Sequence, residues 1–205
     1  MFGPLEKHVY VISLQGGFPR KLTLSSGIHN AVISPKFDLF VDSHHSLNKS
    51  PSSAVRFFNG VTKSLPVYKQ EDERASKFTL SPPEITTIQA PSGETLFGAL
   101  YKPGEQFGEG PFPTIFSVYG GPHVQQVTNG WNMTCAMRVQ YLRSQGYLVF
   151  VLDNRGSARR GFEFESNIYR RMGTVEVEDQ AHGAKWLIEN KIADPERIGV
   201  YGWSY

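Results

Sequence analysis

The end of the chain places the sequence GWSY (202–205) directly after the apolar run IGVY (198–201). Such a run predicts a β-strand, and Gly-x-Ser immediately after a strand is typical of a nucleophile elbow. This is a sharp turn that lifts a serine hydroxyl above the sheet, and one further glycine would complete its Gly-x-Ser-x-Gly pattern. The chain must therefore build a sheet that carries this strand and presents Ser204 at its end.

Composition narrows the class of protein. The 205 residues are 40% hydrophobic and 20% charged, which is ordinary for a globular protein of one large or two small domains. A net charge of +2, from 21 basic and 19 acidic residues, argues against a dedicated nucleic-acid surface. The longest apolar run, 147–152, is too short for a membrane segment, and no signal peptide is visible. A single cysteine, Cys135, excludes an internal disulfide and fits a reducing compartment such as the cytoplasm.

The first part of the chain has the pattern of antiparallel β structure. Two short apolar segments flank a Gly-Gly turn, which predicts a hairpin, and further short strands follow at regular spacing. This spacing is typical of a propeller blade, which needs neighbouring blades to cover its faces. A charged and proline-rich linker is predicted afterwards. The segments are the strands 9–14, 20–24, 32–35, 37–42 and 54–58, and the linker 69–83.

The second part has the pattern of an α/β domain. It predicts a second hairpin, then two continuous apolar strands with a helix between them, and a further amphipathic helix before the elbow strand. Alternation of strands and helices predicts a parallel, doubly wound sheet. The segments are the hairpin strands 85–88 and 96–101, the apolar strands 114–119 and 147–152, and the helices 135–143 and 175–190.

Four motifs in a fixed order carry a resemblance to a known family. They are VYGGP (118–122), DNRGS (153–157), MGTVEVEDQ (172–180) and the terminal GWSY. Together they resemble the prolyl oligopeptidase clan, and Trp203 before the serine is typical of its dipeptidyl peptidase IV branch. Upstream, PLEKHVY (4–10) and PPEI (82–85) are most similar to the cytosolic dipeptidyl peptidase eight/nine subgroup.

This resemblance implies an architecture and an activity. Residues 1–80 would be the C-terminal part of a β-propeller, and residues 81–205 the first, N-terminal half of an α/β-hydrolase peptidase domain, here truncated. The parent protein would be a cytoplasmic, homodimeric serine dipeptidyl peptidase that releases X-Pro or X-Ala dipeptides. Its substrates would be peptides with a free amino terminus and Pro or Ala at position two. Neither a metal nor an organic cofactor is implied.

The resemblance also implies roles for three site residues. Ser204 matches the nucleophile, and Tyr119 matches a tyrosine whose hydroxyl stabilises the oxyanion. Tyr205 would supply the second oxyanion donor through its backbone N–H, and its ring would line the proline-selective S1 pocket. In this family the triad Asp and His follow the serine, so we expect the 205-residue chain alone to be inactive.

Two alternative interpretations remain. An acylaminoacyl-type peptidase or an esterase would share the fold and the elbow, and a truncated product without catalytic activity could share the sequence. Several other polar groups could suggest catalysis, metal binding or anion binding, but ordinary structural roles explain them more simply. These groups are His123, His182, the pair His44–His45, the acidic residues Glu176, Glu178 and Asp179, and the arginines Arg155, Arg159 and Arg160.

Overall fold

A computed structural model describes residues 3–59, 61–63 and 77–205. These residues form two compact units. The first contains the chain up to Ser81 together with Thr128–Cys135, and the second contains Pro82–Val127 and Ala136–Tyr205. Most of the predicted linker, residues 69–76, lies outside the described residues. Among the described helices, none is both long and apolar enough to cross a membrane.

The first unit is built from antiparallel strands. The predicted hairpin is confirmed, although its ladder is short, and a four-stranded sheet follows in which each strand pairs with the next along the chain. Antiparallel pairing allows strands that follow one another in the chain to be joined by short turns. The hairpin strands are β1 (Tyr10–Val11) and β2 (Arg20–Lys21), and the sheet contains β3 (Ile28–Ile33), β4 (Leu39–Ser46), β5 (Lys49–Phe57) and β6 (Thr62–Lys63).

Strand β4 turns alternate residues to a buried face, and two of these residues are polar. Asp42 accepts hydrogen bonds from His29 at 2.9 Å and from Arg56 at 2.6 Å. The second ring nitrogen of His29 lies 2.9 Å from the Ser25 carbonyl. His44 stacks on His29 at 4.2 Å between ring centroids. Burial would raise the pKa of Asp42, but the bonds from His29 and Arg56 outweigh it and lower the pKa.

A short helix, α1 (Trp131–Thr134), completes the first unit. Its Trp131 N–H donates to Nδ1 of His45 at 3.0 Å, and its Thr134 hydroxyl donates to the Leu47 carbonyl at 2.6 Å. The sequence pattern did not predict α1, since four residues are too few to show a helical period.

The second unit contains a five-stranded mixed sheet. Three strands pair in parallel, and they are the apolar strands and the elbow strand of the prediction. The predicted second hairpin adds two antiparallel strands to the same sheet. The predicted parallel pairing of the apolar strands is confirmed, and the predicted hairpin extends the same sheet with antiparallel pairing. The spatial order is β11-β9-β10-β8-β7. The strands are β7 (Glu84–Gln89), β8 (Thr95–Tyr101), β9 (Phe112–Val118), β10 (Leu148–Asp153) and β11 (Ala193–Gly202).

Three helices accompany this sheet. They are α2 (Met137–Ser144), α3 (Phe162–Glu165) and α4 (Val175–Glu189), and single 3₁₀ turns occur at Gly3–Leu5, Glu105–Phe107 and Ser166–Ile168. Helices α2 and α4 lie within a residue or two of their predicted positions. The mixed α/β arrangement is consistent with the α/β-hydrolase-type half that the motifs predict.

The core of the second unit fixes α4 against the central strand. Every residue of β10 is buried, and Phe150 meets Phe116 edge-on at 5.2 Å between ring centroids. Leu187 of α4 is fully buried in the same cluster. Gly183 allows the close approach, because a Cβ at this position would lie 2.9 Å from the Leu152 side chain. The first turn of α4 is thereby held near the carboxyl ends of the parallel strands.

Candidate active site

Ser204 lies in a tight turn directly after β11. The Trp203 N–H donates to the Val118 carbonyl of the neighbouring strand at 3.3 Å, and the Tyr205 N–H donates to the Trp203 carbonyl at 3.2 Å. These two bonds place Ser204 at the centre of a three-residue turn with φ of +81°. Residues other than glycine rarely adopt this conformation, and it recurs at functional sites. The serine is solvent-exposed, as a nucleophile at an elbow must be.

Two consecutive glycines make room for the residue that follows Ser204. Gly120 has φ of +82°, a conformation that favours glycine. A Cβ added to Gly120 would lie 3.5 Å from the Tyr205 ring. A Cβ on Gly121 would come within 2.4 Å of the same ring. The GG pair of the VYGGP motif therefore lets the loop after β9 pass directly under Tyr205.

Tyr119 comes from the end of β9, the parallel neighbour of β11. Its ring centroid lies 6.0 Å from that of Tyr205. Its hydroxyl donates to the Pro122 carbonyl at 3.1 Å. The structure thus brings Tyr119 and Tyr205 together beside the turn of Ser204. Both predicted oxyanion donors face backbone acceptors here, so their catalytic roles stay predictions.

Glu176 is a site residue that the sequence argument treated as an ordinary first-turn acid of a helix. It is 6% exposed, and its carboxylate accepts hydrogen bonds from the Gly173 N–H and, at 3.4 Å, from the Tyr205 hydroxyl. Desolvation and the charge of Glu176 both raise the pKa of Tyr205. Glu176 therefore ties α4 to the ring predicted to line the S1 pocket. Glu176 and Tyr205 are 29 positions apart in the sequence, so no local sequence pattern could have predicted their hydrogen bond.

The DNRGS motif after β10 supports the loop that carries Tyr119. The Asp153 carboxylate accepts the N–H groups of Gln126 and Val127, both at 2.9 Å. Asn154 donates to the Gly120 carbonyl at 2.9 Å. Burial raises the pKa of Asp153 to about 7, although the two N–H donors favour its charged form. These contacts hold the loop between Tyr119 and Val127 over the end of β10.

Arg155 of the same motif has a structural partner rather than an anionic ligand. Its guanidinium binds Asp179 of α4 at 2.7 Å, and its own N–H donates to the same carboxylate at 2.7 Å. Asp179 is fully buried, and its hydrogen bond raises the pKa of Arg155. Arg160 instead stacks on Phe97 and Phe164, at 5.0 and 4.3 Å from the ring centroids. Arg155 and Asp179 thus join the segment after β10 to helix α4.

Among the described residues of the second unit, neither His182 nor His123 forms a hydrogen bond with Ser204. His182 lies on α4 and its Nε2 is 2.8 Å from the Gln89 carbonyl, which fits the structural role expected for it. His123 lies in the loop after Pro122 with φ of +67°. Within the described ranges, no group of His, Cys, Asp or Glu side chains is arranged to hold a metal ion.

Comparison with known proteins identifies the family. Residues 133–205 match the prolyl oligopeptidase family. The chain is 35% identical to Dipeptidyl peptidase 8 of Homo sapiens over 211 residues, covering 98% of this chain and 23% of that protein. The mouse (Mus musculus) Dipeptidyl peptidase 8 is also 35% identical, with 98% and 24% covered. Dipeptidyl peptidase 4 of Trichophyton equinum is 30% identical, with 97% and 26% covered.

These matches confirm that the chain is a member of the prolyl oligopeptidase family. More narrowly, its relatives are named dipeptidyl peptidases, in agreement with the branch that the motifs indicate. The chain spans about a quarter of the length of these relatives.

Proposed function

We propose that the full-length protein containing this chain is a serine dipeptidyl peptidase that releases X-Pro and X-Ala dipeptides from free amino termini. The observation that carries the proposal is the strained turn of Ser204 beside Tyr119 and Tyr205, in a chain whose relatives are named dipeptidyl peptidases. An exposed serine on such a turn is the arrangement that acyl transfer by a nucleophile elbow requires.

The chemistry follows the acyl-enzyme route. A histidine takes the Ser204 proton as the oxygen attacks the scissile carbonyl, and an acid orients that histidine. The histidine then gives the proton to the leaving amine, and a water molecule hydrolyses the ester on Ser204. In the order Ser, acid, His, both partners would follow Ser204 in the full-length protein. The Tyr119 hydroxyl and the Tyr205 N–H would exchange their backbone acceptors for the substrate oxyanion.

The rest of the proposal concerns the whole protein. The four-stranded antiparallel sheet of the first unit supports its assignment as the last part of a β-propeller. The second unit would be the first half of the peptidase domain. Substrates with Pro or Ala at position two, a homodimer and a cytoplasmic location follow from the family resemblance and are proposed with the activity.

Replacement of Ser204 tests the assignment directly. In the full-length protein, Ser204→Ala should lower kcat/KM on an X-Pro reporter by at least about 10³-fold, because the nucleophile is lost. Ser144→Ala is the matched control, since this exposed serine bonds to the Tyr141 carbonyl on α2. Full activity in Ser204→Ala would refute the assignment.

Substrates with a blocked amino terminus separate the alternatives. A dipeptidyl peptidase should cleave the free X-Pro reporter and reject its N-acetyl form, whereas an acylaminoacyl-type peptidase or an esterase should accept acylated substrates. Equal cleavage of both forms would therefore overturn the dipeptidyl assignment while leaving Ser204 as the nucleophile.

A further inference from the structure

The loop after β9 is closed by a bond between a side chain and the backbone. Strand β9 ends at Val118, which is also the last residue in its ladder with β11. The next N–H, that of Tyr119, donates to Oε1 of Gln126 at 3.1 Å. Backbone N–H groups that are withdrawn from water need an acceptor, and here a side chain supplies it where the ladder has ended. The two ends of the loop, seven positions apart, are thereby joined.

Gln126 is in turn held by the end of strand β10. Its backbone N–H donates to Oδ1 of Asp153 at 2.9 Å, and the N–H of Val127 donates to Oδ2 at the same distance. Asp153 is the last residue of β10, is buried, and lies in register with Phe97 of β8. Because both carboxylate oxygens bind the loop, the sheet itself sets the position of Gln126.

The bond between Tyr119 and Gln126 is the one that can persist through the proposed reaction. The Tyr119 hydroxyl would leave the Pro122 carbonyl for the oxyanion, whereas the Tyr119 N–H takes no part in that exchange. The hydroxyl lies at the far end of a long side chain, so a small rotation of the backbone displaces it strongly. A displacement of about 1 Å can cost about 10²-fold in rate.

We propose that Gln126 is a positioning residue for the oxyanion donor. Its side chain fixes the backbone of Tyr119, and Asp153 fixes Gln126. The inference rests on the proposed role of Tyr119 in acyl transfer and adds to it a residue that acts through Tyr119 rather than on the substrate. The two bonds of Gln126 join positions 7 and 27 apart, so the motifs alone did not indicate it.

The test is a double-mutant cycle in the full-length protein, with kcat and KM measured on an X-Pro reporter. Gln126→Met removes the acceptor and keeps the length of the side chain. It should lower kcat about 10-fold with a small change in KM, because the oxyanion donor is displaced but not lost. In the Tyr119→Phe background the same substitution should change kcat by less than about 2-fold, since no hydroxyl is left to position.

Two further variants control for other effects of the substitution. Gln145→Met makes the same chemical change at an exposed glutamine after α2, whose side chain donates to Ser144, and it should leave kcat unchanged. Gln126→Ala removes the same acceptor without adding a thioether, so it should lower kcat by a factor similar to that of Gln126→Met. Urea unfolding of each variant verifies that it is folded.

The outcomes separate this inference from the proposed function. If Gln126→Met keeps full kcat, changes KM alone, or lowers kcat equally in the Tyr119→Phe background, Gln126 does not position Tyr119, while the peptidase assignment stands. If the unmodified protein cleaves an acyl ester but not the X-Pro reporter, the dipeptidyl assignment fails and the same cycle is measured on the ester. If it cleaves neither substrate, both proposals fail.

Discussion

In the proposed mechanism, the Tyr119 hydroxyl would exchange one hydrogen-bond acceptor for another. It donates to the Pro122 carbonyl at 3.1 Å, which holds the ring at the end of β9 before substrate binds. A developing oxyanion is a stronger acceptor than a carbonyl, since hydrogen bonds to charged groups are roughly twice as strong as neutral ones. In the proposed mechanism, the bond to Pro122 would therefore hold the phenol in position and still allow it to donate to the oxyanion.

Removal of this hydroxyl should slow turnover more than it weakens binding. In the full-length protein we expect Tyr119→Phe to lower kcat on an X-Pro reporter by about 10²–10³-fold, with a small change in KM, because the donor acts mainly in the transition state. Steady-state kinetics will check this, with Tyr141→Phe on α2 as the control. A loss confined to KM would show that Tyr119 binds substrate instead of stabilising the oxyanion.

At the scale of elements, the strand β10 ends in a carboxylate that links it to the loop after β9. Asp153 is 5% exposed and bonds to two backbone N–H groups of that loop. Burial raises its pKa from 3.8 to about 7. The folded protein therefore holds the Asp153 proton more tightly than the unfolded chain does.

This difference predicts a pH dependence of stability. As pH rises from about 4 to about 7, the unfolded chain loses the proton first, so the contribution of Asp153 to stability falls, by up to about 1.4 kcal/mol per pH unit. In Asp153→Asn this dependence is absent. The stability of the unmodified protein relative to Asp153→Asn should therefore fall across that window, as measured by urea unfolding at several pH values.

Asp194→Asn provides a control of opposite sign. Its hydrogen bond from Arg197 lowers the pKa of Asp194, so this aspartate stabilises the folded protein above its unfolded pKa, and the contribution is lost as pH falls. If the unmodified protein gained stability over Asp153→Asn between pH 4 and pH 7, the Asp153 prediction would be wrong.

Elements with a continuous local pattern were predictable from sequence, and elements set by distant contacts were not. Helix α4 and strand β10 follow from an unbroken apolar stripe and run. The pairing of β8 with β10, by contrast, joins residues about fifty positions apart and carries no local signal. The same reason explains the site: Ser204 belongs to a local motif, whereas Glu176 acts through a contact with Tyr205.

The buried polar face of β4 shows a further limit of pattern reading. Alternation along the strand predicts which residues point inward, but it does not predict that an aspartate and a histidine occupy two of those positions. Asp42 can be buried because His29 and Arg56 form hydrogen bonds with its carboxylate, and His44 can be buried because its Nε2 lies 2.9 Å from the Ser26 carbonyl.

At the scale of the whole molecule, β11 is an outer strand of the second unit's sheet and carries apolar side chains into solvent. Val200 is 71% exposed and Trp203 81%. Beside them, Val177 and Ala181 of α4 line an apolar groove of about 460 Å³. Outer strands with exposed apolar residues are prone to pair with other chains.

A polypeptide of these 205 residues alone should therefore self-associate and show no peptidase turnover. Size-exclusion chromatography should detect oligomers whose amount falls in Val200→Lys, because a lysine on an outer strand opposes pairing. Turnover of an X-Pro reporter is expected to be absent, since Ser204 has no histidine arranged to take its proton in the described part of the chain. Turnover that a serine-directed phosphonate blocks would contradict this expectation.

The backbone of the Ser204 turn also determines which residues could replace Ser204 as the proposed nucleophile. At φ of +81° the residue already lies where side chains crowd the backbone, and a second substituent on Cβ would increase the crowding. Threonine has such a branch and cysteine does not. Cysteine at position 204 would therefore fit this turn without added crowding. Threonine would require a change in the backbone at the end of β11.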